Sequence, residues 1–395
     1  MQAVLFKCPG QEWHWLGGMT LLERNLWLLE ATGVDSALIL HPPGDTLPPL
    51  TSLRRNFRLE LYGAEVEVAA TDPLEVLPAL RLELRQPFLF LEANLLLDPR
   101  ALETLLWQTP PCFLTTGNRA DPTLAWRVGW LKAENWPLGN KLLYRAGRVS
   151  LTSVPQYHPE LQAEVPPYCE TISNEKDLAR GWRLLIDRTA KRPADAIEKH
   201  VTPPIENWLV RKLCATRITP HLVTALSFAM VLAGALLFYQ GGFFLAVLLA
   251  WVSIVLDRVA GKLARIKLLA PPLGSLDHLV GFFSVNAWCL TLAGNLAYAH
   301  APSAWDVGLG IMACDMCDKV INALFTQLKG KLLDDLSPFA QRFRLIGGCR
   351  NIYLVILSFG FLLGVPFLAL QTILGWAAIT ALIHLGRASY YLRHR

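Results

Sequence analysis

The chain of 395 residues is long enough for two domains, with 53% of residues hydrophobic, 17% charged, and the charges thinning out after about residue 200. The net charge of +5 sits in short connections between apolar stretches, where membrane topology and anionic lipid headgroups account for it, so no nucleic-acid partner is called for.

The first residues, Met1-Gln2-Ala3-Val4-Leu5-Phe6, lack a basic flank and a small-residue cleavage site, so they are read as a strand and not as a cleavable signal. Val4 to Phe6, Leu21 to Gly33 and Ala37 to Leu40 form a strand, helix, strand series, and two further strands are predicted at Glu65 to Ala69 and Pro87 to Glu92. This is the repeating unit of an open α/β sheet, expected over residues 1–190. A linker over 191–217 follows, in which Lys191-Arg192-Pro193-Ala194-Asp195 leads into a predicted helix at 196–216. Its Ile197, Val201, Ile205, Leu209 and Leu213 line one apolar face, suited to the membrane surface or to packing on the soluble domain.

Residues 218–395 read as an all-α membrane bundle. No Asp, Glu, Lys or Arg occurs from Ile218 to Leu256, from His278 to Trp305 or from Asn351 to Gly386. Six transmembrane helices are predicted, at about 219–239, 242–257, 278–299, 305–326, 351–367 and 370–390, with a turn at Gly364-Val365-Pro366. Basic residues gather before the first span (Arg211, Lys212, Arg217) and after the second (Arg258, Lys262, Arg265, Lys267). They recur between the fourth and fifth (Lys329, Lys331, Arg342, Arg344, Arg350) and at the end of the chain. The other connections carry none, so both termini are expected on the cytoplasmic side of the inner membrane.

Asp257 to Arg265 sets one acid and three bases at a membrane edge, read as a charged turn between two spans. Ionisable groups there are costly, and a functional site is the default expectation; the structural alternative is a snorkelling pair of Asp257 with Arg258. Asp315 and Lys319 form an i, i+4 pair in the fourth span. With Asp318 they are either oxygen ligands or a buried pair holding helices in register. Cys314 and Cys317 form one C-x2-C pair with no second pair at zinc-ligand spacing, so a structural metal is not expected.

Asp257, Gly261, Ala264, Arg265 and Gly274 match, at the family spacing, the signature D-x2-D-G-x2-A-R-x8-G-x3-D-x3-D, and in this the chain resembles the CDP-alcohol phosphotransferases. Thr219-Pro220-His221-Leu222-Val223-Thr224 resembles that family's T-P-N-x-x-T opening of the first span. The resemblance implies transfer of a phosphoalcohol from a CDP-alcohol to a hydroxyl acceptor with release of CMP, as in phospholipid headgroup synthesis. It implies Mg²⁺ or Mn²⁺ held by four carboxylates. The implied partners are membrane lipid, a CDP-alcohol and an anionic phosphoalcohol or lipid alcohol, and a homodimer through the membrane helices is compatible with it.

Carried over residue by residue, the resemblance makes Asp257 and Asp277 metal ligands, their carboxyl oxygens expected roughly 4–7 Å apart across a shared cation. Gly261, Lys262, Ala264, Arg265 and Gly274 become substrate contacts, and Arg344 and Arg350 a basic segment holding the phosphoalcohol. His278 becomes a candidate base. The acids depart from the pattern: the second is Ala260, the third falls on His278 in strict register or on Asp277 if the loop is one residue shorter, and the fourth is Phe282 or Gly281. The alternative expectation is therefore a catalytically impaired protein that keeps the fold for nucleotide or lipid binding, or for assembly with an active paralogue. A transporter using Asp315 and Asp318 as a relay is a third.

In the first half, Gly18-Met19-Thr20-Leu21-Leu22-Glu23-Arg24 through Ala31-Thr32-Gly33-Val34 is similar to the stretch after the nucleotide loop in sugar-phosphate nucleotidyltransferases. Lys7-Cys8-Pro9-Gly10-Gln11-Glu12-Trp13-His14-Trp15, however, puts bulky side chains where that family has glycines that let backbone amides reach phosphates. Asn94 stands where that family has a metal-binding Asp. In order and in linker, the two halves resemble fused inositol-phosphate cytidylyltransferase and di-inositol-phosphate phosphate synthase proteins, with the catalytic motifs of both halves degenerate.

Overall fold

A computed structural model describes residues 1–7, 12–48, 50, 60–65, 87–115, 127–132, 134, 145–269, 277–299 and 301–394. The chain forms two compact units, residues 1–191 with 266–268, and residues 192–265 with 269–395.

The first unit is built on a mixed seven-stranded sheet. Its strands are β1 (Gln2–Phe6), β2 (Ser36–His41), β3 (Glu60–Glu65), β4 (Phe88–Glu92), β5 (Cys112–Thr115), β6 (Val128–Leu131) and β7 (Gly147–Ser150). Their order across the sheet is β7-β5-β6-β4-β1-β2-β3. β1 runs parallel to both β2 and β4, while β6 is antiparallel to both β4 and β5. The expected strand at Glu65 to Ala69 appears five residues earlier, and its residues 66–69 lie outside the described residues.

Helix α1 (Leu21–Ala31) starts where predicted because Thr20 caps it, its hydroxyl accepting from the Glu23 amide at 3.1 Å. Leu22, Leu26 and Leu29, one face of that helix, are fully buried with Leu5, Ile39, Leu89 and Leu91 of the central strands. Helices α2 (Pro99–Leu106) and α3 (Glu175–Arg188) also belong to this unit. The chain leaves β1 for β2 on one side and reaches β4 on the other, so the strand order reverses between β1 and β4. Open sheets bind ligands at such a place.

The second unit is helical. The single helix expected at 196–216 is two, α4 (Ala196–His200) and α5 (Pro203–Cys214), because Pro203 and Pro204 have no amide to continue α4 and fit only a first turn. Glu206, Val210 and Cys214 are buried on one face of α5, while Val201, Ile205 and Trp208 are exposed.

The six apolar stretches form α6 (Pro220–Gln240), α7 (Phe243–Ile266), α8 (Asp277–Ala299), α9 (Ala304–Lys329), α11 (Arg350–Leu362) and α12 (Pro366–His394). The short α10 (Pro338–Arg344) lies between α9 and α11. Among the described residues, three of them, α6, α7 and α12, are long and apolar enough to cross a membrane. Thr219 caps α6 with Pro220 in its first turn, and Gly241, at φ 84°, ends it in a conformation that glycine tolerates best. The core joins Val231, Phe238, Ile254, Leu292, Ile311, Leu357 and Ile373 around Trp288, whose indole N–H donates to the Val231 carbonyl at 3.1 Å.

Candidate functional site

The charged segment is not a turn. Asp257 to Arg265 continues α7 for its last turns, since Gly261 is the only weak helix former in Asp257-Arg258-Val259-Ala260-Gly261-Lys262-Leu263-Ala264-Arg265 and one interior glycine does not stop a helix. A helical path sends these residues to different neighbours. Asp257 does not pair with the adjacent Arg258: its Oδ2 lies 3.0 Å from a guanidinium nitrogen of Arg350, at the start of α11. Arg258 and Lys262, one turn apart, face the linker helices instead.

Arg258 lies 3.3 Å from Glu198 of α4. The Lys262 amine is held at 2.7 Å by Glu206 and at 2.9 Å by Asn207, both of α5. Lys262 is 5% exposed and Glu206 1%, so this is a buried pair, and the Thr202 hydroxyl donates to the second Glu206 oxygen. Asp195, also buried, caps α4 through the amides of Ile197 and Glu198. Its other oxygen accepts from Asn351 at 2.7 Å and from the Cys349 thiol at 3.3 Å.

Ala260 and Ala264 are buried, and Gly261 lies under the Arg265 guanidinium, whose nitrogens come within 3.6 Å of where a Cβ would stand. Gly274 lies outside the described residues. Asp277 and His278 open α8, but their side chains lie outside the described residues too, so the expected approach of Asp277 to Asp257 has no distance attached to it. Arg344 donates to the Pro193 carbonyl, and burial, followed by the neighbouring Arg192, lowers its guanidinium below the ordinary value.

Asp315 is buried. One of its oxygens takes Lys319 at 2.8 Å and the other takes Asn286 of α8 at 2.9 Å, so it joins α9 to α8. Asp318 faces His384 of α12. Among the described residues no three His, Cys, Asp or Glu side chains are grouped to hold a metal ion. With Asp257 engaged by Arg350 and an alanine at the second acid position, the described residues do not fit the divalent pair that the signature implies.

In the first unit, Lys7 leaves the end of β1 and is buried, its amine bonded to Asp45 and stacked 4.7 Å above the Trp13 ring. Trp13 in turn donates to the Thr46 carbonyl. Residues 8–11 of this loop lie outside the described residues. Asn94, just beyond β4, donates through its amide to the Glu12 carbonyl at 2.8 Å, a bond that a carboxylate at this position cannot make. Asn94 thus ties Glu12 to the end of β4.

Sequence reasoning missed Asp195, Glu198, Glu206 and Asn351. Each is an ordinary polar residue in its local sequence, and only the fold brings it to α7 or α11.

No family model matches the chain. It is similar to a protein of Rubrobacter xylanophilus described as a bifunctional IPC transferase and DIPP synthase, 24% identical over an alignment of 217 residues, with 50% of this chain and 44% of that protein covered. The match thus spans under half of the relative's length, and the resemblance to fused proteins is met by a relative of that description.

Among solved structures, similarity extends to a phosphatidylinositol phosphate synthase of Mycobacterium tuberculosis with CDP-DAG bound, at 23% identity, 48% of this chain, 93% of that one and a TM-score of 0.37. The same synthase in complex with manganese and citrate matches at 22% identity, 48% and 88% coverage and a TM-score of 0.38. An inositol-1-phosphate CTP transferase of T. maritima matches at 12% identity, 45% and 90% coverage and a TM-score of 0.31. Scores this low carry no residue-level argument.

Proposed function

We propose that this chain is an integral membrane protein of the CDP-alcohol phosphotransferase type whose catalytic centre has been converted into internally paired charges. It keeps the architecture for binding nucleotide or lipid, or for assembly with an active paralogue. Six helices cross the cytoplasmic membrane with both termini on the cytoplasmic side, and the first domain is a nucleotidyltransferase-like scaffold. The carrying observation is the Asp257–Arg350 pair at 3.0 Å with Ala260 one turn on. A metal bridging phosphate oxygens needs several carboxylates, and here the one matched acid is already neutralised by a guanidinium. The reading of a working phosphotransferase is supported by the retained Gly261, Ala264 and Arg265, with Arg265 folded over Gly261.

The deciding experiment measures CMP release by the purified chain from a panel of CDP-alcohols with Mg²⁺ or Mn²⁺. Loss of a positioned base typically costs about 10²–10⁴ in rate, and loss of metal ligands adds to it, so release is expected far below ordinary enzyme rates. Ala260→Asp with Gly281→Asp is expected to raise it. Among the described residues, a Cβ added at Gly281 meets no atom within 4 Å. Turnover of about 1 s⁻¹ or more by the unaltered chain refutes the proposal.

A further inference from the structure

The two linker helices sort their charges by sign. Across residues 196–219 the only acids are Glu198 and Glu206; both are buried and turned inward, where they meet Arg258 and Lys262 of α7. The bases Lys199, Arg211, Lys212 and Arg217 are all exposed. The outer surface of this stretch therefore carries positive charge alone. It is also apolar: Ile205, Trp208 and Lys212 share one face of α5 by their three- and four-residue spacing, with Val201 in the turn before it. Val201, Ile205 and Trp208 are each more than half exposed, while Glu206, Val210 and Cys214 on the other face are buried.

The attachments of α5 fix its level in the bundle. Only residues 215–219 separate it from the start of α6, and the Lys262–Glu206 pair pins its inner face to the last turns of α7. Ser227 of α6 donates to the Ser253 carbonyl of α7 at 2.8 Å, and Gly234 lies against Ala246, so α6 and α7 run antiparallel. The start of α6 and the end of α7 thus share one edge of the bundle, and both helices are long and apolar enough to cross a membrane. A helix with an apolar and cationic outer face at that edge stands at the height of lipid headgroups.

We infer that the outer face of α5 docks on the anionic surface of the lipid bilayer. Val201, Ile205 and Trp208 enter the acyl boundary, where an indole has both an apolar surround and a partner for its N–H, and Arg211, Lys212 and Arg217 meet anionic headgroups. This makes α5 a clamp with two working faces, lipid charge outside and Lys262 inside. Seating it steadies Glu206 against Lys262, so the charge of the lipid bears on the α7 segment that carries the matched residues. The inference rests on the reading of α6 and α7 as membrane spans and not on whether the chain turns over a CDP-alcohol.

The test reconstitutes the full chain in nanodiscs of phosphatidylcholine, alone or with phosphatidylglycerol added, and follows hydrogen–deuterium exchange of the amides at 205–214, with those of α1 as the internal control. Each cation seated at an anionic surface contributes about fivefold, so protection is expected to rise roughly tenfold or more with phosphatidylglycerol. The rise is expected to vanish in about 1 M salt, where screening acts within about 3 Å, and to be lost in Arg211→Gln with Lys212→Gln. Equal protection of α5 in the two lipids, or a rise that survives undiminished in the double variant, overturns the docking. So does protection that depends on two chains sharing a disc, which would make the face an interface between copies, or protection that Trp208→Ser lowers with no dependence on lipid charge, which would mean that the face packs on protein. Should the double variant not fold, the salt series on the unaltered chain decides by the same criteria. A chain that enters neither kind of disc refutes the membrane reading and the docking with it, whereas one that enters both without distinguishing them refutes the docking alone.

Discussion

Replacing Lys262 by Met separates a structural role for this residue from phosphate binding. The substitution keeps the volume of the side chain and removes a cation that is 5% exposed from beside Glu206, which is 1% exposed. Glu206 then keeps only the Thr202 hydroxyl, and Asn207 loses a donor. A buried charge left without its partner costs about 3–5 kcal/mol. That is a large part of the roughly 5–15 kcal/mol by which folded domains are ordinarily stable. Adding Glu206→Gln removes the stranded charge, and the double variant is expected to recover to within about 1–2 kcal/mol of the unaltered chain, the cost of the hydrogen bonds alone. Unfolding in one detergent, over the four members of the cycle, reads the coupling directly. If Lys262 instead serves phosphate, Lys262→Met leaves stability within about 0.5 kcal/mol and weakens CDP-alcohol binding, and that outcome refutes the structural assignment.

Arg350→Gln removes the guanidinium from Asp257 and is expected to strengthen Mn²⁺ binding, read by electron paramagnetic resonance on the full chain; unchanged affinity counts against Arg350 as the blocking group. Gly360→Ala drives a Cβ into that of Ala369, where α11 packs on α12, and is expected to lower stability by about 1–3 kcal/mol in thermal unfolding. Burial pushes the Cys112 thiol up to about 11 and the Cys169 thiol up to about 12. Alkylation at about pH 8, followed by mass spectrometry, is therefore expected to leave both unlabelled in the folded chain and to label both after denaturation.

Much of the layout was legible because it follows from where charges are absent. The charge-free stretches located the apolar helices, and Gly241 and Gly364 mark breaks because both adopt positive φ. Thr20 and Thr219 marked helix starts by their capping chemistry. Two local signals misled. The charges after Leu256 suggested a turn, yet charge ends a membrane span without ending a helix, and α7 runs on to Ile266. The apolar periodicity over 196–216 suggested one helix, and Pro203 overrode it. The site was legible only in its α7 residues. Arg258 and Lys262 were visible as cations, but whether they meet phosphate or protein depended on Glu198 and Glu206, which local pattern does not connect to α7.

On the function proposed above, the absence of the signature's acids and the ion pairs at Asp257 and Lys262 have one physical cause. A lone carboxylate at the half-buried end of an apolar helix needs a countercharge. In the family pattern divalent metals supply it and four acids share them; with alanine at position 260 a metal has too few ligands, and the nearest cation able to take its place is Arg350. Once the guanidinium is seated, restoring the acids is not enough, because any entering metal must first displace Arg350 from Asp257. The gain in CMP release from Ala260→Asp with Gly281→Asp is therefore expected to be larger when Arg350→Gln is added. An equal gain in both backgrounds would mean that Arg350 never competed for the site.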